Sequence, residues 1–285
     1  MGYSRNGHRI EYAKFVAEEI EPSQEFKVLD ALIKQPDANP SDTVQQILSM
    51  TYDYLKDPKS FGSFGFFWPV ANAFVELAQR TTPDQQRKLI AVWIELQNTT
   101  IPDPDSVTGE PLRHGEERIW NDLPLCGVTL CDEMQAYRPT RYPTEPEENF
   151  NLPEEEDRWE RLSTFVAQLT GISNDPENDS SNMWAISGIV EGLGPWNFPT
   201  INNDHAVRTA CLWFIYAGKK VWAKVREGQL FRDNHPSDKE QPAYDLERWA
   251  DWKQKLSEWR SSCTDERTRS MIGDALEQIK RVELE

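Results

Sequence analysis

Hydrophobic residues recur at intervals of three and four along most of the chain. One stripe follows Ser41 and comprises Val44, Ile47, Leu48, Thr51 and Leu55, and similar stripes occur in residues 159–169 and 271–279. This spacing is typical of amphipathic α-helices, and Ser41 is predicted to cap the first of these. The alternation typical of strands is confined to residues 109–112 and 228–231. The pattern therefore predicts an all-α protein of about ten helices.

Residues 203–222 form the most apolar of the predicted helices. Apolar or aromatic side chains occupy its whole circumference, and beyond Asp204 in its first turn charged residues interrupt it only at Arg208 and at Lys219-Lys220. A helix that is apolar on every side is buried. We therefore expect this helix to lie at the centre of the fold, with the other helices packed around it.

The domain organisation follows from that central helix. Covering it on all sides needs more apolar helices than the C-terminal half supplies, which favours a single helical domain over residues 1–285. Residues 138–152 are rich in proline and acidic side chains and could instead be a linker. The alternative is therefore two lobes, 1–137 and 153–285, joined by that segment.

Composition and charge argue against several classes of protein function. Hydrophobic residues make up 38% of the chain and include eleven tryptophans, which is enough for a core and excludes disorder of the whole chain. With 31 Lys and Arg against 48 Asp and Glu, the net charge is −17. A surface this acidic repels nucleic-acid phosphates and anionic lipids, so neither partner is expected.

Several sequence features indicate a soluble protein of the cytoplasm. Residues 1–12 contain no apolar segment typical of a secretory signal, and no apolar run reaches the ~18 residues of a membrane span. The four cysteines are scattered, as expected of reduced thiols. Cys126 and Cys131 have no histidine partner nearby, and the acidic run at 175–179 lacks the glycine and glutamate of a calcium loop. No metal or cofactor is predicted.

Candidate chemistry is concentrated at the head of the central helix. His205 lies one residue after Asp204 and three before Arg208, where an imidazole can act as a general acid or base. Glu191 is a second carboxylate that could tune it. Candidate walls of a ligand pocket are aromatic: Trp120, Trp184, Trp213 and Tyr216. In the alternative interpretation His205 only packs near a helix start, and the aromatic rings are ordinary core residues.

Four stretches of the chain resemble a known family. They are Trp120 to Pro124 followed by Glu133, residues 159–169, residues 185–193, and the core of the central helix at 213–218. In their order and spacing the chain is similar to a fungal family of uncharacterised proteins, the oxopyrrolidine-cluster protein G-like family. The resemblance implies a helical, intracellular protein, with some relatives encoded in secondary-metabolite gene clusters. It carries over no catalytic residues.

Two hypotheses of function follow. In the first, the chain is a small-molecule binding protein or cofactor-independent enzyme acting on a fungal metabolite. His205 would transfer a proton, Glu191 or Asp204 would orient it, and Arg208 would hold an anionic group. In the second, it is a helical interaction or regulatory protein without catalysis. The acidic segment 145–157 would then meet a basic partner, and a tryptophan face would dock if exposed, comprising Trp249, Trp252 and Trp259.

Overall fold

The fold is all-α, as the hydrophobic spacing predicts. The computed structural model of the protein describes residues 11–56, 65–103, 106–136, 152–174, 179, 183–194, 203–228 and 244–285. Within these, residues 11–20 are helical and end in a π-helical turn, Val16–Ile20. The further helices are α1 (Gln24–Lys34), α2 (Pro40–Leu55), α3 (Phe67–Arg80), α4 (Pro83–Gln97), α5 (Cys126–Ala136), α6 (Leu152–Ile172), α7 (Trp184–Leu193), α8 (Asn203–Glu227), α9 (Leu246–Ser262) and α10 (Glu266–Leu284).

Local sequence signals explain several helix starts. The hydroxyl of Ser23 accepts a hydrogen bond from the Phe26 N–H at the head of α1, and Asp245 caps α9 in the same way. The predicted cap of α2 is wrong by two residues. Asn39 caps that helix, because Pro40 occupies the first turn and needs no N–H partner there. The hydroxyl of Ser41 instead donates to Glu95.

The contacts divide the chain into two compact units. Unit 1 comprises Met1–Tyr137 and Glu147–Leu162, and unit 2 comprises Arg138–Pro146 and Ser163–Glu285. The single domain over 1–285, like its alternative of two lobes, stays a prediction. Among the described residues, no helix has the length and apolarity to cross a membrane.

Unit 1 packs helices α1 to α5 around an aliphatic and aromatic core. Helix α3 contacts α1, α4 and α5, and all but three of its side chains are buried. The only strands among the described residues form a small antiparallel hairpin, β1 (Arg113–His114) with β2 (Glu117–Arg118), in which His114 faces Glu117. This hairpin leads into the segment 118–125 before α5.

Unit 2 is built around α8, in agreement with the predicted central helix. Helix α8 packs on both α7 and α10, and its side chains from His205 to Phe214 are all buried. The helix continues to Glu227, five residues beyond the predicted end, and its later turns are more exposed at Lys219 and Arg226. Helix α9 completes the unit through its contacts with α10.

A buried charge network lies inside unit 1. The carboxylate of Glu76 is 2% exposed and receives a hydrogen bond from Arg158 at 2.9 Å. Arg80 also pairs with Glu76, and Arg158 donates to the neighbouring Gln79. Burial opposes ionisation of Glu76, but the Arg158 hydrogen bond and the two guanidinium charges outweigh it and hold the pKa of Glu76 below its usual 4.5.

This lowered pKa predicts a loss of stability in acid. An ionised Glu76 stabilises the fold fully above its unfolded pKa, and that contribution disappears as the pH falls through the lower folded pKa. We expect the free energy of unfolding to fall more steeply from about pH 5 to about pH 3 in the wild type than in Glu76→Gln. Urea denaturation at a series of pH values measures both slopes, and equal slopes would contradict the prediction.

Candidate functional site

Three of the four predicted polar residues, Asp204, His205 and Arg208, lie together at the head of α8 in unit 2. His205 is fully buried, and its backbone carbonyl accepts a hydrogen bond from the Thr209 hydroxyl at 3.1 Å. Arg208 is also buried and donates to the Thr268 hydroxyl at 3.1 Å. Its guanidinium lies 3.5 Å from the Asp265 carboxylate. Arg208 is therefore engaged with the start of α10.

A cysteine completes this polar cluster. The Cys263 thiol donates to the Asp204 carboxylate at 3.3 Å and lies 3.5 Å from the Asp265 backbone carbonyl. Burial and the Asp204 hydrogen bond raise the pKa of the Cys263 thiol. Hydrogen bonds from the Thr268 hydroxyl and N–H lower the pKa of Asp265. We call this group the polar latch: Asp204, Arg208, Cys263, Asp265 and Thr268.

The polar latch joins the first turns of α8 to the N-terminus of α10. Asp265 is the cap of α10, which explains its hydrogen bonds to Thr268. Asp204 and Arg208 were among the predicted site residues, whereas Cys263, Asp265 and Thr268 were not. A carboxylate three residues before a threonine at a helix start was the available signal for Asp265. Nothing in the local sequence indicates that Cys263 meets Asp204, which is 59 residues away.

The predicted aromatic residues divide between the two units. Trp120 belongs to unit 1, where its indole donates to the Thr51 hydroxyl at 3.2 Å and packs edge-on against Phe66 and Phe67. Trp184 and Trp213 are buried in unit 2.

Glycine makes close packing between α7 and α8 possible. A Cβ at Gly188 would lie 2.7 Å from Trp213 Nε1, so the indole occupies the space that a side chain there would need. Glu191 on α7 and Tyr216 on α8 are both partly buried. The structure thus brings the predicted residues of unit 2 onto two packed helices.

A cleft opens in unit 2 between the end of α7 and the last turns of α9. Its volume is about 370 Å³, and its described lining is Gly192, Leu193, Gly194, Lys255, Glu258, Trp259 and Ser262. We call it the α7–α9 cleft. No predicted site residue is in that lining, although Gly192 follows Glu191 and Ser262 precedes Cys263. The lining residues of α9 share one helical face, but only tertiary packing sets that face against α7.

Unit 1 has a groove of similar size, about 340 Å³. It lies between α1 and α2 above Phe66, and most of its lining is exposed polar side chains such as Gln46 and Ser49. We favour the α7–α9 cleft as the candidate site because it adjoins the polar latch and carries an indole. Among the described residues, no group of three or more His, Cys, Asp and Glu side chains is placed to hold a metal ion.

The comparisons with known proteins identify a family and no individual relative. No curated protein and no solved structure matches the chain. One family model, described as a protein of unknown function (DUF3632), matches residues 72–256. That range extends from α3 of unit 1 through α8 and most of α9 in unit 2. Because it covers more than half of the sequence, the chain belongs to the DUF3632 family.

Proposed function

We propose that the protein binds a small molecule in the α7–α9 cleft. The observation that carries the proposal is the combination in one concavity of an indole, charged side chains and a glycine-lined helix end. A volume of about 370 Å³ is at the lower end of the range of small-molecule sites, which are concave and hold a few convergent polar groups. The helices on either side provide a preformed frame.

The kind of ligand proposed follows from the family resemblance. Four stretches of the chain resemble a fungal family with members in secondary-metabolite gene clusters. We therefore propose a fungal secondary metabolite as the natural ligand.

Binding is better supported than catalysis by His205. The His205 side chain is fully buried, and Arg208 is already engaged with Thr268 and Asp265 inside the polar latch. General acid–base catalysis requires the imidazole to come within hydrogen-bond distance of the substrate. We therefore assign ligand contact to the cleft residues and a structural role to the latch.

The proposed docking face of an interaction protein receives less support. Trp249 and Trp252 are both buried, so they present no exposed surface. Trp259 is partly exposed, but it lines the α7–α9 cleft. Most of the acidic segment 145–157 lies outside the described residues.

A matched pair of variants tests the proposal. Ser262 and Ser261 are both exposed on α9 and both donate to a backbone carbonyl one turn earlier, but only Ser262 lines the cleft. We expect Ser262→Trp to fill the cleft and Ser261→Trp to leave it open. Ligand-observed NMR with a fragment library should therefore find compounds that bind the wild type and Ser261→Trp but not Ser262→Trp.

Two results would overturn the proposed binding site. In one, no fragment binds the wild type at millimolar concentration. In the other, the same fragments bind all three proteins equally, which would place their site elsewhere. Circular dichroism of each variant establishes that α9 remains folded.

A further inference from the structure

We infer that the ligand of the α7–α9 cleft is an organic cation, such as a protonated amine carrying an aromatic or aliphatic body. The inference rests on the proposed function, since it assigns the chemical class of the molecule bound in that cleft. Three features of the cleft favour positive charge: the end of α7, the acceptor groups of α9, and the Trp259 ring.

The C-terminal end of α7 supplies negative potential. The last carbonyls of a helix lack intrahelical partners and carry the negative end of its dipole. At this end the Gly194 N–H donates a hydrogen bond to the Val190 carbonyl oxygen at 2.7 Å. The negative end of the α7 dipole at the cleft wall therefore favours a cationic group in the ligand.

Helix α9 presents further acceptors. Glu258 brings a carboxylate, one oxygen of which accepts from Gln254 at 2.8 Å. The Ser262 hydroxyl donates its proton to the Glu258 backbone carbonyl at 3.1 Å, so its lone pairs remain for a ligand donor. Both groups accept hydrogen bonds from a ligand, and an ammonium group has only donors to offer.

The one cationic side chain in the described lining is already neutralised. The Lys255 ammonium lies 2.8 Å from the Asp251 carboxylate, one turn earlier on α9. The described lining carries Lys255 and Glu258 and is formally neutral, and counting Asp251 beside Lys255 gives a local net charge of −1. An anionic ligand would have to compete with Asp251 for Lys255 and would be repelled by Glu258.

The Trp259 ring provides the remaining contact. It is partly exposed on the cleft surface, where an indole face strengthens the binding of a cation roughly two- to five-fold. The net charge of −17 adds a field that concentrates cations near the protein. Because that field acts everywhere on the surface, the test must separate it from the local site.

Three probes of similar size separate the charge classes: 2-phenylethylammonium, 2-phenylethanol and phenylacetate. NMR titration gives their dissociation constants for the wild type. We expect the cation to bind roughly ten-fold more tightly than the neutral alcohol, and the anion to bind most weakly, since an indole and a surface carboxylate each contribute up to about five-fold.

Variants locate the effect in the cleft. Glu258→Gln and Trp259→Leu should each weaken binding of 2-phenylethylammonium roughly two- to five-fold, and Trp259→Phe should retain part of the affinity. Glu247→Gln removes the same charge from an exposed position in the first turn of α9 and should change nothing. Lys255→Gln should leave or increase the affinity for the cation.

The results separate a wrong charge class of ligand from a wrong binding site. If phenylacetate or the alcohol binds best, and Ser262→Trp abolishes that binding, the cleft is a ligand site but not for cations. If Glu247→Gln and Glu258→Gln weaken the cation equally, the attraction is the general field and the inference fails. If no probe and no library fragment binds, the proposed function fails as well.

Discussion

Replacing Arg158 by methionine is expected to lower the free energy of unfolding by about 3 kcal/mol or more. Arg158 donates to Glu76, whose carboxylate is 2% exposed, and also to the buried Gln79. Methionine keeps most of the volume of the side chain but removes both donors. Among the described residues, the half-exposed Arg80 is then the remaining partner of the buried carboxylate. Urea denaturation followed by far-UV circular dichroism measures the loss.

A neighbouring arginine provides the control. Arg161 lies one turn later on α6, where its guanidinium makes an exposed contact of 3.5 Å with the Arg80 backbone carbonyl. Arg161→Met should change the stability by no more than about 0.5 kcal/mol. A loss below about 1 kcal/mol for Arg158→Met would show that Arg80 alone satisfies the buried carboxylate.

A double variant identifies the cause of the loss. Glu76→Met/Arg158→Met removes both charges, so no carboxylate is stranded at position 76, and replacing a buried pair by apolar residues is often neutral. Arg80 retains its 2.7 Å ion pair with Glu21 in that background. We therefore expect the double variant to be more stable than Arg158→Met. The reverse order would mean that the packing of the Arg158 stem, and not the stranded charge, dominates.

The sequence predicted the helical fold because helical spacing is a local property. The apolar residues of each helix show which of its faces is buried. The all-α class and the central position of α8 in its unit could therefore be predicted without knowing which helices pack together. The prediction that Ser41 caps α2 was wrong for an equally local reason, since Asn39 followed by Pro40 is the stronger signal for a helix start.

The segment before α5 could not be predicted from spacing. Trp120, Leu123 and Leu125 all adopt positive φ angles, of 68°, 46° and 65°. Large side chains rarely do so, and nothing in their identity signals it. Tertiary contacts hold the segment in place, including the Arg118 hydrogen bonds to Asp122 and the Trp120 hydrogen bond to Thr51.

None of the described residues that line the α7–α9 cleft was predicted as a site residue. Asp204, His205 and Arg208 were predicted because they stand together in one helical turn, and two of them belong to the polar latch. The partners of this group, Cys263 and Thr268, and the cleft residues of α9 come from chain positions about 60 residues away. Helix packing brings them together, and the sequence of a single chain does not record which faces pack.

The close approach of two helices in unit 2 predicts a second large loss of stability. Gly171, in the last turn of α6, lies directly against the backbone of α8, and a Cβ at that position would overlap the Tyr216 carbonyl oxygen. A backbone atom in a buried helix cannot move aside as a flexible side chain can. We expect Gly171→Ala to destabilise the protein by about 3 kcal/mol, because one helix must shift away from the other. The melting temperature should fall by roughly 6 to 12 °C.

A second glycine on α8 separates this steric effect from helix propensity. Gly218 is buried, but the nearest atom to a Cβ there is Gln278 Cγ at 3.4 Å, an ordinary contact with a flexible side chain. Alanine is favoured over glycine in helices by about 1 kcal/mol, so Gly218→Ala should raise the melting temperature slightly. Opposite signs for the same substitution would show that close helix approach, not glycine flexibility, explains Gly171. If both variants gained stability, α6 and α8 would not be in contact at Tyr216, and the packing described for unit 2 would be wrong at that point.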